Sequence, residues 1–246
     1  MIEDWKDRTR LLLKDKLSIL ENAHVLVVGL GGVGAYAAEM LCRAGVGTLT
    51  LIDADTVDCT NRNRQLPALI STEGKLKTEV MQERLLDINS KLKLHILSEF
   101  LRDERIAEVL DLHPYDYVVD AIDSLSPKTF LIAETLKRNI PLVSAMGAGG
   151  KIDPSKVQVA DISKTHQCHL ASYIRKRLRK MGITQGFKAV FSTEEPLQDV
   201  EREDTTSEFK RTTIGTISYM PAIFGCWCAA VCVRGMLNGD WHRRDK

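Results

Sequence analysis

A chain of 246 residues with a formal net charge of +1 and 27% charged residues can bury a core without staples, and it presents no strong overall field. That balance excludes a globally basic nucleic-acid binder, so affinity for a polyanion has to come from a local patch. The six cysteines (Cys42, Cys59, Cys168, Cys226, Cys228, Cys232) form no CxxC pair, and residues 1–8 hold no apolar core of signal-peptide length. Reduced thiols and a cytoplasmic location are therefore expected.

Taken in chain order, residues 7–21 carry Leu11, Leu12, Leu17 and Leu20 at helical spacing and predict helical turns with these leucines on one apolar face. Strand 24–28 empties into a glycine-rich turn, followed by a helix from about Gly32 to Ala44 that Gly45 and Gly47 end. A second strand spans 48–52, and 75–89 is an amphipathic helix carrying Val80, Met81, Leu85, Leu86 and Ile88. Strand 92–97, helix 102–110, strand 115–121, helix 127–139 and strand 142–145 continue the alternation. Such a pattern predicts an α/β, Rossmann-like, doubly wound and mostly parallel sheet with helices on both faces.

Beyond Gly150 the pattern changes to a short strand at 156–162, a basic helix at 170–181 and a strand at 188–192. Residues 194–211 are acidic with little apolar content and are expected to be a mobile surface loop that could order over a ligand. Residues 214–233 are mostly apolar, interrupted by Gly215, Pro221 and Gly225, and are expected to form a buried helix. As a membrane span the segment is marginal. Residues 1–246 are thus taken as one domain, with a nucleotide-binding half to residue 150 and a substrate-facing half from 151, including a C-terminal helix.

The turn Gly29-Leu-Gly31-Gly32-Val-Gly34 stands between a strand and a helix, and Asp53 closes the next strand. Free N–H groups at a helix start hold phosphate, and an acid at that distance accepts hydrogen bonds from ribose hydroxyls. Asp55 joins the candidates, with the expectation that it points to the opposite face from Asp53. A dehydrogenase has no use for Asn61-Arg62-Asn63-Arg64-Gln65 just past its ribose acid.

The run from Asp53 to Gln65, followed by Gly74-x-x-Lys77 and Asp120-Ala-Ile-Asp123, resembles the ThiF/MoeB superfamily of ubiquitin-activating-type adenylating enzymes over residues 8–150. The resemblance implies ATP as cosubstrate, with Asp53 on the ribose, Asn61 and Arg64 on the triphosphate and Lys77 over the α-phosphate. It gives Asp123 the role of the acid associated with Mg²⁺. It further implies a homodimer into which each copy inserts an arginine, matched by Arg10 in Arg8-Thr-Arg10-Leu, although Arg8 lies near enough to compete for the role.

Sulfur-carrier activators of that superfamily hold a structural zinc on two CxxC pairs, which this chain lacks, so no structural zinc is expected. Cys226, Cys228 and Cys232 are expected instead to fill a buried helix. Ser144-Ala-Met-Gly147-Ala-Gly149-Gly150-Lys-Ile-Asp153-Pro154, Val157 to Thr165, and Val190-Phe191-Ser192-Thr193-Glu194 resemble the tRNA threonylcarbamoyladenosine dehydratases, extending the likeness to about residue 235. In that family ATP adenylates the threonine carboxylate of threonylcarbamoyladenosine at tRNA position 37, and the carbamoyl group closes a ring with expulsion of AMP. The implied partners are that tRNA, a second copy of the chain and, more remotely, a cysteine desulfurase system. Lys164, Arg175, Lys176, Arg177, Arg179 and Lys180 form a basic patch that suits RNA or an ordinary solvated helix face equally well. The alternative activity is adenylation of the C-terminal glycine of a ubiquitin-like sulfur carrier.

Overall fold

The computed structural model describes residues 4–203 and 212–238. Seven strands form one sheet in the order β3-β2-β1-β4-β5-β7-β6. They are β1 (His24–Val28), β2 (Thr48–Ile52), β3 (Lys93–Leu97), β4 (Tyr117–Asp120), β5 (Leu142–Ala145), β6 (Val157–Asp161) and β7 (Lys188–Ser192). All pairings are parallel except β6 with β7. The central strands are buried along nearly their whole length, as continuous apolar runs covered on both faces must be.

One face is covered by α3 (Gly34–Ala44), α4 (Lys77–Ile88) and α8 (Tyr219–Asn238). The other carries α5 (Glu104–Asp111), α6 (Leu125–Lys137) and α7 (His169–Lys180). Helix α3 ends on Gly45 with φ +98°, a left-handed cap that glycine adopts without strain. Helix α6 begins at Leu125 and takes Pro127 into its first turn, where the missing N–H would have no helical partner anyway.

Helix α8 is long and apolar enough by composition to cross a membrane, but Met220, Phe224, Cys228, Ala229 and Cys232 all lie in the sheet-facing core. Gly225 lets it sit directly on α3: a Cβ there would fall 2.3 Å from the Val33 carbonyl oxygen. Cys226, expected to be buried with its neighbours, is exposed, because it stands on the side of α8 away from the sheet. Burial pushes the Cys228 thiol up to about 12 and raises Cys232 as well, leaving both as inert packing groups.

The structure departs from expectation in two other segments. Residues 7–21 divide into α1 (Asp7–Leu13) and α2 (Leu17–Asn22), with Lys14 at φ +51° between them. Leu17 and Leu20 are buried while Leu11 and Leu12 are each 80% exposed, so the four leucines do not share a face. Within the acidic segment, β8 (Glu201–Glu203) pairs antiparallel with β9 (Thr212–Ile214), and Leu197 N–H donates to Gly150. Part of the expected loop is therefore hairpin, and residues 204–211 lie outside the described residues.

Candidate active site

A cavity of about 660 Å³ opens at the C-terminal ends of β1, β2 and β4. Strand order reverses between β1 and β4, and such a switch point is where open α/β sheets leave a crevice for ligands. The glycine turn forms its floor. Gly29 takes φ +90° and a Cβ there would stand 2.8 Å from the Ala121 carbonyl oxygen, so only glycine lets the ends of β1 and β4 meet. A Cβ on Gly34 would fall 1.7 Å from the Gly29 carbonyl oxygen, which folds the turn tightly onto the start of α3. Gly29 and Gly31 line the cavity; Gly32 and Gly34 do not, and Gly32 instead abuts Pro221 of α8.

Asp53 follows β2 and is locked to the turn. Its Oδ2 accepts from Leu30 N–H at 2.5 Å and its Oδ1 from Asp55 N–H at 2.8 Å. Burial raises the carboxyl above its ordinary value, an effect that Lys77 opposes. Asp55 does not point to the opposite face as expected. It lines the same cavity and its Oδ2 lies 2.7 Å from Lys77 Nζ. The strand has ended at Ile52, and a period of two would in any case keep residues 53 and 55 on one side. Lys77 opens α4 with its side chain only 5% exposed, its nitrogen delivered to the cavity wall.

Opposite stand Asn61 and Arg64. Asn61 ends a short 3-10 turn, Cys59–Asn61, that the Asp58 side chain caps through Thr60 N–H; the Asn61 Oδ1 in turn accepts from Asp58 N–H. Arg64 donates to the Thr60 carbonyl at 2.9 Å and to Asn63 Oδ1 at 2.8 Å. Burial lowers the pKa of its guanidinium, an effect that the charge of Asp123, which lines the same cavity, opposes.

Asp123 sits on the loop after β4, and that loop hangs on a buried ion pair. Asp120 lies 2.8 Å from Lys128 Nζ, both side chains fully buried, and accepts from Ser144 Oγ at 2.6 Å. Lys128 also donates to the Ile122 carbonyl at 2.9 Å, while Asp120 Oδ1 accepts from Ile122 N–H at 3.1 Å. Sequence reasoning missed Lys128, whose only signal is a cation among the apolar residues of a helix. It also passed over Phe100 and Leu101, which line the cavity after β3, and gave no role to Gln65, whose Oε1 is buried with no hydrogen-bond partner among the described residues.

The second half of the chain reaches the same rim. Asn63 Nδ2 donates to the Thr216 carbonyl at 3.0 Å, Tyr219 Oη to the Ile152 carbonyl at 2.8 Å, and Ile214 packs against Gly149. Lys151 is buried and donates to the carbonyls of Gln167, Ser192 and Glu194, which pins the end of the glycine-rich segment 147–150 to the turn before α7 and the end of β7. Arg10 stands apart from the cavity of its own chain: it pairs with Asp4 and, at 2.7 Å, with Asp7.

With this geometry in view, the model of the ThiF family matches residues 7–243. The chain belongs to the ThiF family. A tRNA threonylcarbamoyladenosine dehydratase of Bacillus subtilis is 47% identical to this ThiF-family chain over 253 aligned positions, covering 100% of this chain and 99% of the relative. The Escherichia coli protein of that description is 41% identical, over 86% of this chain and 82% of its own. The fold superimposes on the crystal structure of the E. coli dehydratase TcdA in complex with ATP with a TM-score of 0.87. That match has 37% identity over 97% of this chain and 98% of the other. The mostly parallel sheet expected from the sequence, seven-stranded in the structure, is the fold that this superposition shares.

Proposed function

We propose that this protein is an ATP-dependent tRNA threonylcarbamoyladenosine dehydratase. It adenylates the threonine carboxylate of the modified adenosine at position 37, and the carbamoyl group then closes onto the activated carbonyl. The observation that carries this reading is the convergence of Arg64, Lys77 and Asp123, from three separate segments, on the one crevice that also holds the ribose acid Asp53. Likeness to dehydratases along essentially the whole chain supports the acceptor.

The reaction divides among the residues as their chemistry requires. Asp53, held by two backbone N–H groups, presents its remaining lone pairs to a ribose. Asn61 and the turn at Gly29–Gly34 face the phosphates. The substrate carboxylate oxygen attacks the α-phosphorus and pyrophosphate leaves, so negative charge grows on the phosphoryl oxygens between Lys77 and Arg64. Attack by the carbamoyl group then expels AMP, which carries away one carboxylate oxygen; the nucleoside loses one water in total.

Among the described residues no cluster of three or more His, Cys, Asp or Glu stands in metal-holding geometry. A Mg²⁺ ion nevertheless fits this crevice, because it binds through one or two carboxylates plus substrate phosphates and water. Asp123 would hold it, and when bound it would offset charge on the departing pyrophosphate. We further assign a homodimer, in which Arg10 of one copy reaches the crevice of the other. The exposed Leu11 and Leu12 beside Arg10 support a buried contact there. A cytoplasmic setting and a tRNA partner follow from the same reading, as does a substrate-facing role for residues 151–246; a cysteine desulfurase partner remains a proposal of the resemblance alone.

The test is to incubate the protein with ATP, Mg²⁺ and tRNA carrying threonylcarbamoyladenosine and to weigh the nucleoside. Loss of one water that requires ATP is expected. Unchanged mass with bound ATP, or pyrophosphate exchange driven by a sulfur-carrier protein instead of tRNA, would overturn the assignment.

A further inference from the structure

Helix α7 carries a charged face that the fold itself does not use. Its apolar side, Ala171, Ile174 and Leu178, is buried against the sheet. On the opposite side Tyr173, Lys176, Arg177 and Lys180 stand at i, i+3, i+4 and i+7, a single stripe of the helix, and all four are exposed. Tyr173 shows 57% of its surface. Arg175, counted with the patch in the sequence, turns inward and donates to the Thr165 carbonyl at 2.8 Å.

Several other surface cations are neutralised: Arg43 and Arg84 by Glu39, Arg105 by Glu99, Arg138 by Asp111. Among the described residues no carboxylate pairs with Lys176, Arg177 or Lys180. In a chain of net charge +1 this is a concentrated, unneutralised positive stripe with one aromatic ring in it. Its position matters as much as its charge. The start of α7 lies at the crevice end of the sheet, since a Cβ on Gly147, just after β5, would touch Cys168 Sγ at 3.6 Å and Leu170 Cβ at 3.9 Å. From there the helix runs about 18 Å along the flank of α6.

We propose that this stripe is the surface on which RNA lies while its nucleoside occupies the crevice. Backbone phosphates rest on Lys176, Arg177 and Lys180, and an unpaired base stacks on Tyr173. The inference rests on the tRNA reading above and adds the place where tRNA is held. RNA is favoured over an anionic membrane because the stripe has cations and a stackable ring but no aliphatic residues to insert. Position 37 belongs to a single-stranded loop, which offers both exposed phosphates and splayed bases.

The experiment measures tRNA binding by fluorescence anisotropy over a range of salt, using full-length protein. The triple variant Lys176→Glu/Arg177→Glu/Lys180→Glu is expected to bind on the order of a hundredfold more weakly, with the slope of log K against log salt shallower by about 2–3. Tyr173→Ala is expected to lose about fivefold with an unchanged slope, and Tyr173→Phe to retain binding. ATP affinity and circular dichroism stay as in the wild type in all of them. Lys91→Glu/Lys93→Glu, an exposed pair at the start of β3, serves as the control for charge alone. Unaltered tRNA affinity in the triple variant, an equal loss in the control, or loss of binding to anionic vesicles with tRNA binding intact would overturn the proposal. Failure of the wider functional reading looks different: the wild type itself would then leave the modified nucleoside unchanged.

Discussion

Replacing Lys128 with Met tests how the Asp123 loop is held. Methionine keeps most of the volume of the side chain but removes the ammonium group from a site where both partners are fully buried. Asp120 would then be left with only Ser144 Oγ and Ile122 N–H as donors, and the Ile122 carbonyl would lose the Lys128 donor. Removing one member of a buried pair costs about 3–5 kcal/mol, because the other charge stays desolvated. That is a large share of a typical total of about 5–15 kcal/mol. At about 2–4 °C per kcal/mol for a chain of this size, Tm should fall by about 6–20 °C. Urea unfolding followed by circular dichroism, at a pH where Asp120 is ionised when unfolded, gives the free energy. Adding Asp120→Asn to Lys128→Met should recover part of the loss, since a neutral amide is cheaper to bury than an unpaired carboxylate. A loss below about 1 kcal/mol for the single variant, or a double variant no more stable than the single one, would refute the reasoning.

Three further outcomes follow from the geometry. Arg64→Ala and Lys77→Met should each lower turnover by about a hundredfold or more with the fold intact, as loss of one preorganised charge stabiliser does; wild-type turnover in both would remove them from the mechanism. Gly34→Ala should abolish ATP binding or folding because its Cβ overlaps the Gly29 carbonyl, whereas Gly31→Ala meets only Gln65 Nε2 at 3.7 Å and should retain the fold; equal effects in thermal melts would contradict the turn geometry. The third outcome concerns pH. His24, His95 and His113 cluster with ring centroids 4.4–5.3 Å apart, and burial with mutual repulsion depresses His24 from 6.5 to about 4. The unfolded chain therefore binds more protons between those values, so stability is full above pH 6.5 and falls as pH drops toward 4. On the order of 2 kcal/mol is expected after discounting for solvent at this half-buried ring. Urea midpoints at pH 7.5 and 5.0 should lie closer together in His24→Gln than in the wild type, and an unchanged gap would count against the cluster.

Strands β1, β2, β5 and β7 were legible to the residue, because each is a short run rich in apolar and β-branched residues between turn or polar boundaries. Most helix ends shifted by one or two residues, as fraying termini do, whereas α8 spans 219–238 instead of the expected 214–233. The break at Lys14 was hidden because a left-handed lysine leaves no local pattern, and Leu11 and Leu12 only look like core residues until the chain turns away. The β8–β9 pairing escaped because Glu201-Arg-Glu203 and Thr212-Thr-Ile214 carry no apolar period of their own. For the site, Asp53 could be picked out by type and spacing, and Arg64, Lys77 and Asp123 by the motifs of the family resemblance, but their arrival on one crevice depends on sheet order. The ion pair of Lys77 with Asp55 and the Lys128–Asp120–Ser144 network are contacts between separated segments, invisible to periodicity.

In the proposed reaction a carboxylate oxygen attacks the α-phosphorus in the crevice. This attack is tested most directly with tRNA whose threonylcarbamoyladenosine carries ¹⁸O in the threonine carboxylate, turned over with ATP and analysed by mass spectrometry of the nucleotide product. One labelled oxygen in AMP, matched to each cyclised nucleoside, is the predicted result. Unlabelled AMP, or ADP with labelled inorganic phosphate, would contradict it.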